Sequence, residues 1–241
     1  MSRCRSLAAA ATLLLGLVTA IPATPASAQS LADLVKSTKL GDQALFGSKE
    51  FRADSLKGLP QWQRVLKQMR EQRAGFVRCA AQAEACTTPI QKAWRGLVQK
   101  AKKLDRNAQI KAVNAFFNRI PYRLDSVVYG TSEYWATPAE FMSRSGDCED
   151  FAIAKFFALR QLGFQGESLR VVILWDEIRN IGHSVLAVYR GEEILILDNL
   201  SELVVTHQRY KHYIPQYSMN ETTRWAHVHK KKIPTLVARR S

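Results

Sequence analysis

Apolar residues recur at helical spacing through three stretches in the first half of the chain. The first stretch follows Pro60, a residue favoured in the first turn of a helix, and its apolar positions are Trp62, Val65, Leu66 and Met69. The stretches 90–103 and 107–119 repeat the spacing, with basic side chains on their outer faces. The turn-rich, aromatic stretch 121–146 predicts a loop that lines a site. The pattern therefore predicts three amphipathic helices followed by a loop.

A nearly all-apolar run then extends from Cys148 to Leu162 and stops at Gly163. Past its first turn this run carries only two charged residues, Lys155 and Arg160, so it predicts a helix that is largely buried. Three runs rich in β-forming residues follow, at 169–175, 183–189 and 194–198. Helices first and an antiparallel sheet second predict an α+β fold.

The first 28 residues have the layout of a secretory signal peptide. Arg3 and Arg5 give a positive start, residues 7–21 form an apolar stretch, and Ala26-Ser27-Ala28 is a small-residue cleavage site. The apolar stretch is short for a membrane span, so we expect cleavage, with an uncleaved anchor as the alternative. The remaining chain is expected to be exported and not membrane-spanning. It divides into an irregular segment at 29–58, one domain at 59–228 and a basic tail at 229–241.

The formal net charge of the 241-residue chain is +14, and removal of Arg3 and Arg5 leaves +12. The positive charge favours an acidic protein, an anionic lipid or another polyanion as a partner. The alternative is a basic surface that only aids solubility. Export and the lack of a recognisable binding motif argue against nucleic acid.

The cysteines point to one reactive thiol. Cys4 leaves with the signal, and we expect Cys79 and Cys86 to form a disulfide in an oxidising compartment. Cys148 is then alone at the first turn of the buried helix. Unpaired backbone N–H groups and the helix dipole lower the pKa of a thiol there, and the next N–H can donate to an oxyanion. The alternative is a buried structural cysteine.

His183 and Asp198 are predicted to share one face of a hairpin. A two-residue turn at Arg190-Gly191 places them directly opposite each other, with Cβ atoms roughly 5 Å apart. A carboxylate in that position orients and charges an imidazole, whereas a three-residue turn would spoil the pairing. The alternative for His183 is a structural histidine. The other histidines (His207, His212, His227 and His229) lack a comparable partner, and a zinc site among them has little support.

Three carboxylates, Asp147, Glu149 and Asp150, surround Cys148 and should oppose formation of a thiolate. One interpretation is helix capping, with Asp147 as the N-cap and Asp150 reaching back toward it. The other is a bound hard cation such as calcium, which would cancel the negative charge and fix the loop. Spacing alone favours capping, because no EF-hand pattern is present.

Two longer motifs, WATPAEF at 135–141 and GDCEDFAIAK at 146–155, resemble the bacterial transglutaminase-like cysteine peptidases, best known from the LapG-type periplasmic proteases. The resemblance covers roughly 59–225 and includes LPQW at 59–62, NRIPY at 118–122, HSVLA at 183–187 and LDNL at 197–200. Two positions depart from the family pattern: Tyr129 stands where we expect tryptophan, and Glu133 where aspartate is usual.

The resemblance implies a papain/transglutaminase-like fold, in which the catalytic cysteine begins a central helix packed on an antiparallel sheet. It implies Cys148 as nucleophile, His183 as general base and Asp198 as its orienting acid. It also implies that Ca²⁺ binds through Asp147, Glu149 and Asp150.

The same resemblance implies a biological role in the periplasm. Such a protease cleaves a large repeat adhesin near its N-terminal anchor at an Ala-Ala type site and releases cells from a biofilm. An inner-membrane cyclic-di-GMP receptor of LapD type holds the protease back. The rival hypotheses are a transglutaminase or amidase acting on glutamine side chains, and a catalytically silent binding protein of the same fold.

Overall fold

A computed structural model describes residues 44–229, so the predicted signal peptide and nearly all of the predicted basic tail lie outside the described residues. The helices precede most of the sheet along the chain. They are α1 (Pro60–Ala81), α2 (Pro89–Ala101), α3 (Arg106–Asn118), α4 (Asp125–Val128), α5 (Pro138–Arg144) and α6 (Cys148–Gln161). The three amphipathic helices and the buried helix are confirmed to within a few residues.

The stretch 121–146 is not only a loop, because it contains α4 and α5. A capping box starts α5: Thr137 Oγ1 accepts from the Glu140 N–H at 3.3 Å, and Glu140 Oε2 accepts from the Thr137 N–H at 2.7 Å. Pro138 occupies the first helical position. The Thr-Pro-x-Glu pattern was therefore a helix-start signal that the prediction of a loop overlooked.

Seven antiparallel strands form one sheet in the order β1-β7-β6-β2-β3-β4-β5. The strands are β1 (Lys49–Ala53), β2 (Leu169–Asp176), β3 (Ile181–Arg190), β4 (Glu193–Leu197), β5 (Val205–Thr206), β6 (Tyr213–Met219) and β7 (Arg224–Val228). The three predicted strands are β2, β3 and β4, and the α+β class is confirmed. The segment 29–58, expected to be irregular, contains the edge strand β1. An edge strand with no fully buried residue carries only a weak apolar alternation.

The hairpin between β3 and β4 has a different register from the predicted one. Arg190 pairs with Glu193 and Leu186 with Leu197, so the turn residues are Gly191 and Glu192. The predicted register is therefore wrong by two residues, and Asp198 is not directly opposite His183. Because side chains alternate between faces with a period of two, a shift of two residues leaves both side chains on the same face.

Helix α6 is the centre of the core. Every residue from Glu149 to Leu159 is buried, and the helix packs against β3, β2 and α3. A second, smaller apolar cluster includes Leu45 and Phe46 with Val172 and Val185 of the sheet. The N-terminus of α6 is thus held by the most buried part of the molecule.

The predicted disulfide is present: Cys79 at the end of α1 is bonded to Cys86, with the sulfur atoms 2.00 Å apart. Cys148 is the free cysteine of the described residues. Within residues 44–229, none of the helices combines the length and apolar character that a membrane span requires.

Candidate active site

Cys148 is the first residue of α6, the helix that packs against strand β3. The Sγ atom is 3.4 Å from Glu149 Oε2, and the side chain of Ser184, the residue after His183, lies near enough to affect its titration. Burial raises the pKa of the Cys148 thiol, the charges of Glu149 and Asp147 raise it further, and the nearby Ser184 hydroxyl acts in the opposite direction. The protein alone therefore disfavours the thiolate at this position.

His183 and Asp198 form a buried pair, as predicted, although their register differs. His183 Nε2 lies 2.9 Å from Asp198 Oδ1, and the Leu200 N–H donates to the same oxygen at 3.0 Å. Tyr213 donates its hydroxyl to Asp198 Oδ2 at 2.6 Å. Burial alone would raise the pKa of Asp198, but the hydrogen bonds from His183, Tyr213 and the Leu200 N–H bring it below its usual value. An ionised Asp198 that accepts from Nε2–H leaves Nδ1 of His183 as the proton acceptor.

The acidic residues beside Cys148 divide into two groups. Ligand atoms of Asp147, Cys148 and Glu149 lie within 4.8 Å of one another, as do those of Asp125, Asp147 and Asp150. Asp147 belongs to both groups. The sequence prediction missed Asp125, which starts α4 in the stretch expected to be a loop; nothing in its spacing relates it to the cysteine motif.

Asp150 joins the start of α6 to the preceding segment through hydrogen bonds. Its Oδ2 accepts from the Asp147 N–H at 3.2 Å and its Oδ1 accepts from the Ala136 N–H at 2.6 Å. Asp147 occupies the N-cap, so the capping interpretation is correct in its placement of both residues. Burial raises the pKa of Asp150 to about 8, despite the hydrogen bond from Ala136.

The site also has the features of a hard-cation site. Asp125 Oδ1 and Asp147 Oδ1 are buried and have no hydrogen-bond partner among the described residues. Burial raises the pKa of Asp125 to about 6, and the nearby charges of Asp147 and Glu133 act in the same direction. Unsatisfied carboxylate oxygens that converge from two helix starts suit an ion with several oxygen ligands, such as Ca²⁺. Capping and cation binding are therefore compatible here.

The other buried histidines have structural roles. The ring of His227 lies between Ser48 Oγ and Ser218 Oγ, each 2.8 Å from a ring nitrogen. His207 Nδ1 accepts from the Phe46 N–H at 2.9 Å. Neither group of metal-ligating side chains in the described part of the chain contains a histidine.

Comparison with protein families matches residues 67–233 to the bacterial transglutaminase-like cysteine proteinases (BTLCP). Among solved structures, calcium-bound Legionella pneumophila LapG is similar, with 35% identity and a TM-score of 0.50 over 54% of this chain and 74% of that one. A second structure of Legionella pneumophila LapG has 31% identity and a TM-score of 0.55 over 63% of this chain and 87% of that one. An EGTA-treated form of the same protein gives 31% identity and 0.55, over 63% and 84% of the two chains. None of the curated proteins compared matches this chain.

Proposed function

The chain belongs to the bacterial transglutaminase-like cysteine proteinases, and from this premise we propose that it is a calcium-dependent periplasmic endopeptidase with the triad Cys148, His183 and Asp198. One observation carries the assignment of the triad. The buried hydrogen bond between His183 and Asp198 is made from β3, and β3 is the strand against which α6 packs, with the free Cys148 as its first residue. A nucleophile at a helix start, a base and an orienting acid are the parts that acyl transfer by a thiol requires.

The proposed reaction is hydrolysis of a peptide bond through a thioester. His183 Nδ1 takes the proton of Cys148, and the sulfur attacks the substrate carbonyl carbon to form a tetrahedral oxyanion near the N–H groups that begin α6. The C–N bond then breaks as His183 returns the proton to the leaving amine. Water, deprotonated by His183, cleaves the thioester and restores the thiol. Asp198 keeps the Nε2 proton in place and stabilises the charged imidazole throughout.

Calcium is assigned to the acidic residues beside the nucleophile. Asp147, Glu149 and Asp150 would hold it, with Asp125 added on the geometry described above. The relative for which a calcium-bound structure exists supports this choice of ion. Bound calcium supplies positive charge where burial, Glu149 and Asp147 otherwise raise the pKa of Cys148.

The proposed substrate is a large repeat adhesin, cut near its N-terminal anchor at an Ala-Ala type site, so that cleavage releases the cell from a biofilm. The proposed regulator is an inner-membrane cyclic-di-GMP receptor of LapD type. The positive net charge, +14 over the whole chain and +12 without Arg3 and Arg5, suits an acidic protein substrate.

The triad is tested by incubating the purified protein with the N-terminal segment of a giant repeat adhesin from the same genome. We expect Cys148→Ala, His183→Ala and Asp198→Asn to reduce cleavage by at least about a hundredfold each, because base and nucleophile act as a unit. Asp176→Asn is the matched control, since Asp176 is another buried carboxylate of the sheet, paired with Arg179 at 2.9 Å. Cleavage that survives Cys148→Ala would refute the mechanism, and incorporation of an amine into glutamine would identify a transglutaminase.

Calcium dependence is tested by chelation. EGTA should abolish cleavage, and added Ca²⁺ should restore it, whereas Mg²⁺ should not, because Mg²⁺ demands a tighter octahedral arrangement. Calorimetric titration of the apoprotein measures binding without any substrate. Activity that is indifferent to EGTA, together with no heat of Ca²⁺ binding, would refute the assignment.

A further inference from the structure

Asp198 has a side-chain partner besides His183, and this partner comes from a strand that carries none of the proposed triad. Tyr213, the first residue of β6, donates its hydroxyl to Asp198 Oδ2 at 2.6 Å. His183 uses the other oxygen, since its Nε2 lies 2.9 Å from Oδ1. The Leu200 N–H also donates to Oδ1, at 3.0 Å. Both oxygens of the carboxylate are therefore bonded, and its plane is fixed.

We propose that Tyr213 is a positioning residue of the active site, whose hydroxyl fixes the second oxygen of Asp198 so that the first remains directed at His183. The catalytic meaning of this inference rests on the proposed function. The hydrogen bond itself does not depend on that function.

The surroundings of Tyr213 suit a fixed donor and exclude contact with substrate. The residue is only 3% exposed. Its ring stacks on Tyr210 with centroids 4.9 Å apart, and it meets the rings of Phe46 and His212 edge-on at 5.7 and 4.5 Å. Burial and the charge of Asp198 raise the pKa of Tyr213, so the phenol is protonated and can donate at neutral pH.

The other titratable groups near Asp198 do not hold its carboxylate. Lys155 of α6 and Tyr210 both sense its charge. Lys155 Nζ has no hydrogen-bond partner among residues 44–229, and in the same range Tyr210 donates no hydrogen bond to Asp198. Besides His183, Tyr213 is thus the side chain of the described residues that is hydrogen-bonded to this carboxylate.

Tyr213→Phe isolates the hydrogen bond, because it removes one oxygen and keeps the packed ring. A hydrogen bond to the charged form of an acid lowers its pKa, so its loss should raise the pKa of Asp198 by about one unit. With Oδ2 released, the imidazole is less well oriented. We expect kcat to fall about tenfold with KM unchanged, and the acid limb of the activity profile to move to higher pH.

The decisive measurement is a carbon-13 NMR titration of the Asp198 carboxyl in the Cys148→Ala protein, with and without Tyr213→Phe. Tyr210→Phe is the matched control, since it removes a hydroxyl from the adjacent stacked ring without touching Asp198. A higher pKa in Tyr213→Phe alone supports the proposal. An unchanged or lower pKa, or an equal rise in Tyr210→Phe, overturns it. The titration uses no substrate, so a failure of the proposed peptidase activity would not be mistaken for a failure of this inference.

Discussion

Asp150 connects two parts of the chain beside Cys148, the proposed nucleophile. Its carboxylate accepts hydrogen bonds from the backbone N–H groups of Asp147 and Ala136. One of its oxygens also lies within 4.8 Å of carboxylate oxygens of Asp125 and Asp147, close enough for the three to share a metal ion. The close approach of Gly146 makes this arrangement possible. A Cβ at position 146 would come within 1.9 Å of Asp150 Oδ2. Position 146 must therefore be glycine, because the Asp150 carboxylate occupies the space that a side chain would need.

Gly146→Ala should therefore damage the site through Asp150. We expect a loss of stability of about 2–3 kcal/mol, because the buried carboxylate must leave at least one of its two N–H donors. Thermal unfolding and Ca²⁺ titration measure the two effects, and both the midpoint and the affinity should fall. Gly182→Ala in β3 is the control, since nothing lies within 4 Å of an added Cβ there. Equal behaviour of the two variants would contradict this explanation.

At the scale of elements, α6 carries the proposed nucleophile at its start and a charged residue deep in the core. Lys155 is fully buried, and its Nζ has no hydrogen-bond partner among the described residues. Burial lowers the pKa of Lys155 from 10.5 to about 7, while Asp198 and Glu202 offset part of that effect. Below pH 7 Lys155 is charged in both states, and the folded state bears the full free-energy cost of a buried ammonium. Above pH 10.5 the lysine is neutral in both states, and this free-energy cost disappears.

Lys155→Met should stabilise the protein, and more so at low pH. We expect a gain of about 2–4 kcal/mol at pH 6 that shrinks as the pH rises from 7 toward 10, because folding then releases the lysine proton and a higher pH favours that release. Denaturant unfolding at several pH values measures the difference. Lys111→Met on the exposed face of α3 is the control and should change stability by no more than about 0.5 kcal/mol. A loss of stability at pH 6 would show that the ammonium has a partner which compensates its burial.

The elements that were predicted well from the sequence are those that bury one face or their whole length in the core, because burial requires a regular apolar pattern. The period in α1 and the apolar run of α6 follow directly from their burial. The strand β1 escaped prediction because its residues face solvent, and β6 because Pro215 interrupts an otherwise typical strand. The His183–Asp198 pair was predicted from a hairpin register that is wrong by two residues, and it survives because a shift of two keeps both side chains on the same face. The position of Asp125 beside Asp147 and Asp150 was not predicted, because a contact between distant segments produces no repeating pattern in the sequence.

At the scale of the whole molecule, the strand before the helices completes the sheet. β1 pairs with β7, and Glu50 forms an ion pair with Arg170 of β2 at 2.6 Å. The Arg170 guanidinium also lies over the rings of Trp225 and Tyr189. The domain predicted to begin at residue 59 therefore depends on side chains that precede it.

A chain that starts at residue 55 should be less stable than one that starts at residue 40. Loss of Glu50 leaves the Arg170 guanidinium buried without its counter-charge, which costs about 3 kcal/mol or more, and loss of Leu45 and Phe46 opens the second apolar cluster. Thermal unfolding compares the two chains, and Glu50→Gln in the longer one separates the ion pair from the strand. Equal midpoints for the two chains would show that β1 adds nothing to the domain.

The depth at which α6 is embedded has a consequence for what the protein can cut. A thiol at the partly exposed start of a helix that is fixed in the core cannot move outward, so the polypeptide must come to it. A substrate peptide bond inside a folded, hydrogen-bonded region cannot reach this fixed thiol unless that region of the substrate unfolds. Susceptible bonds should accordingly fall in stretches that extend easily as a single strand, such as linkers between folded modules.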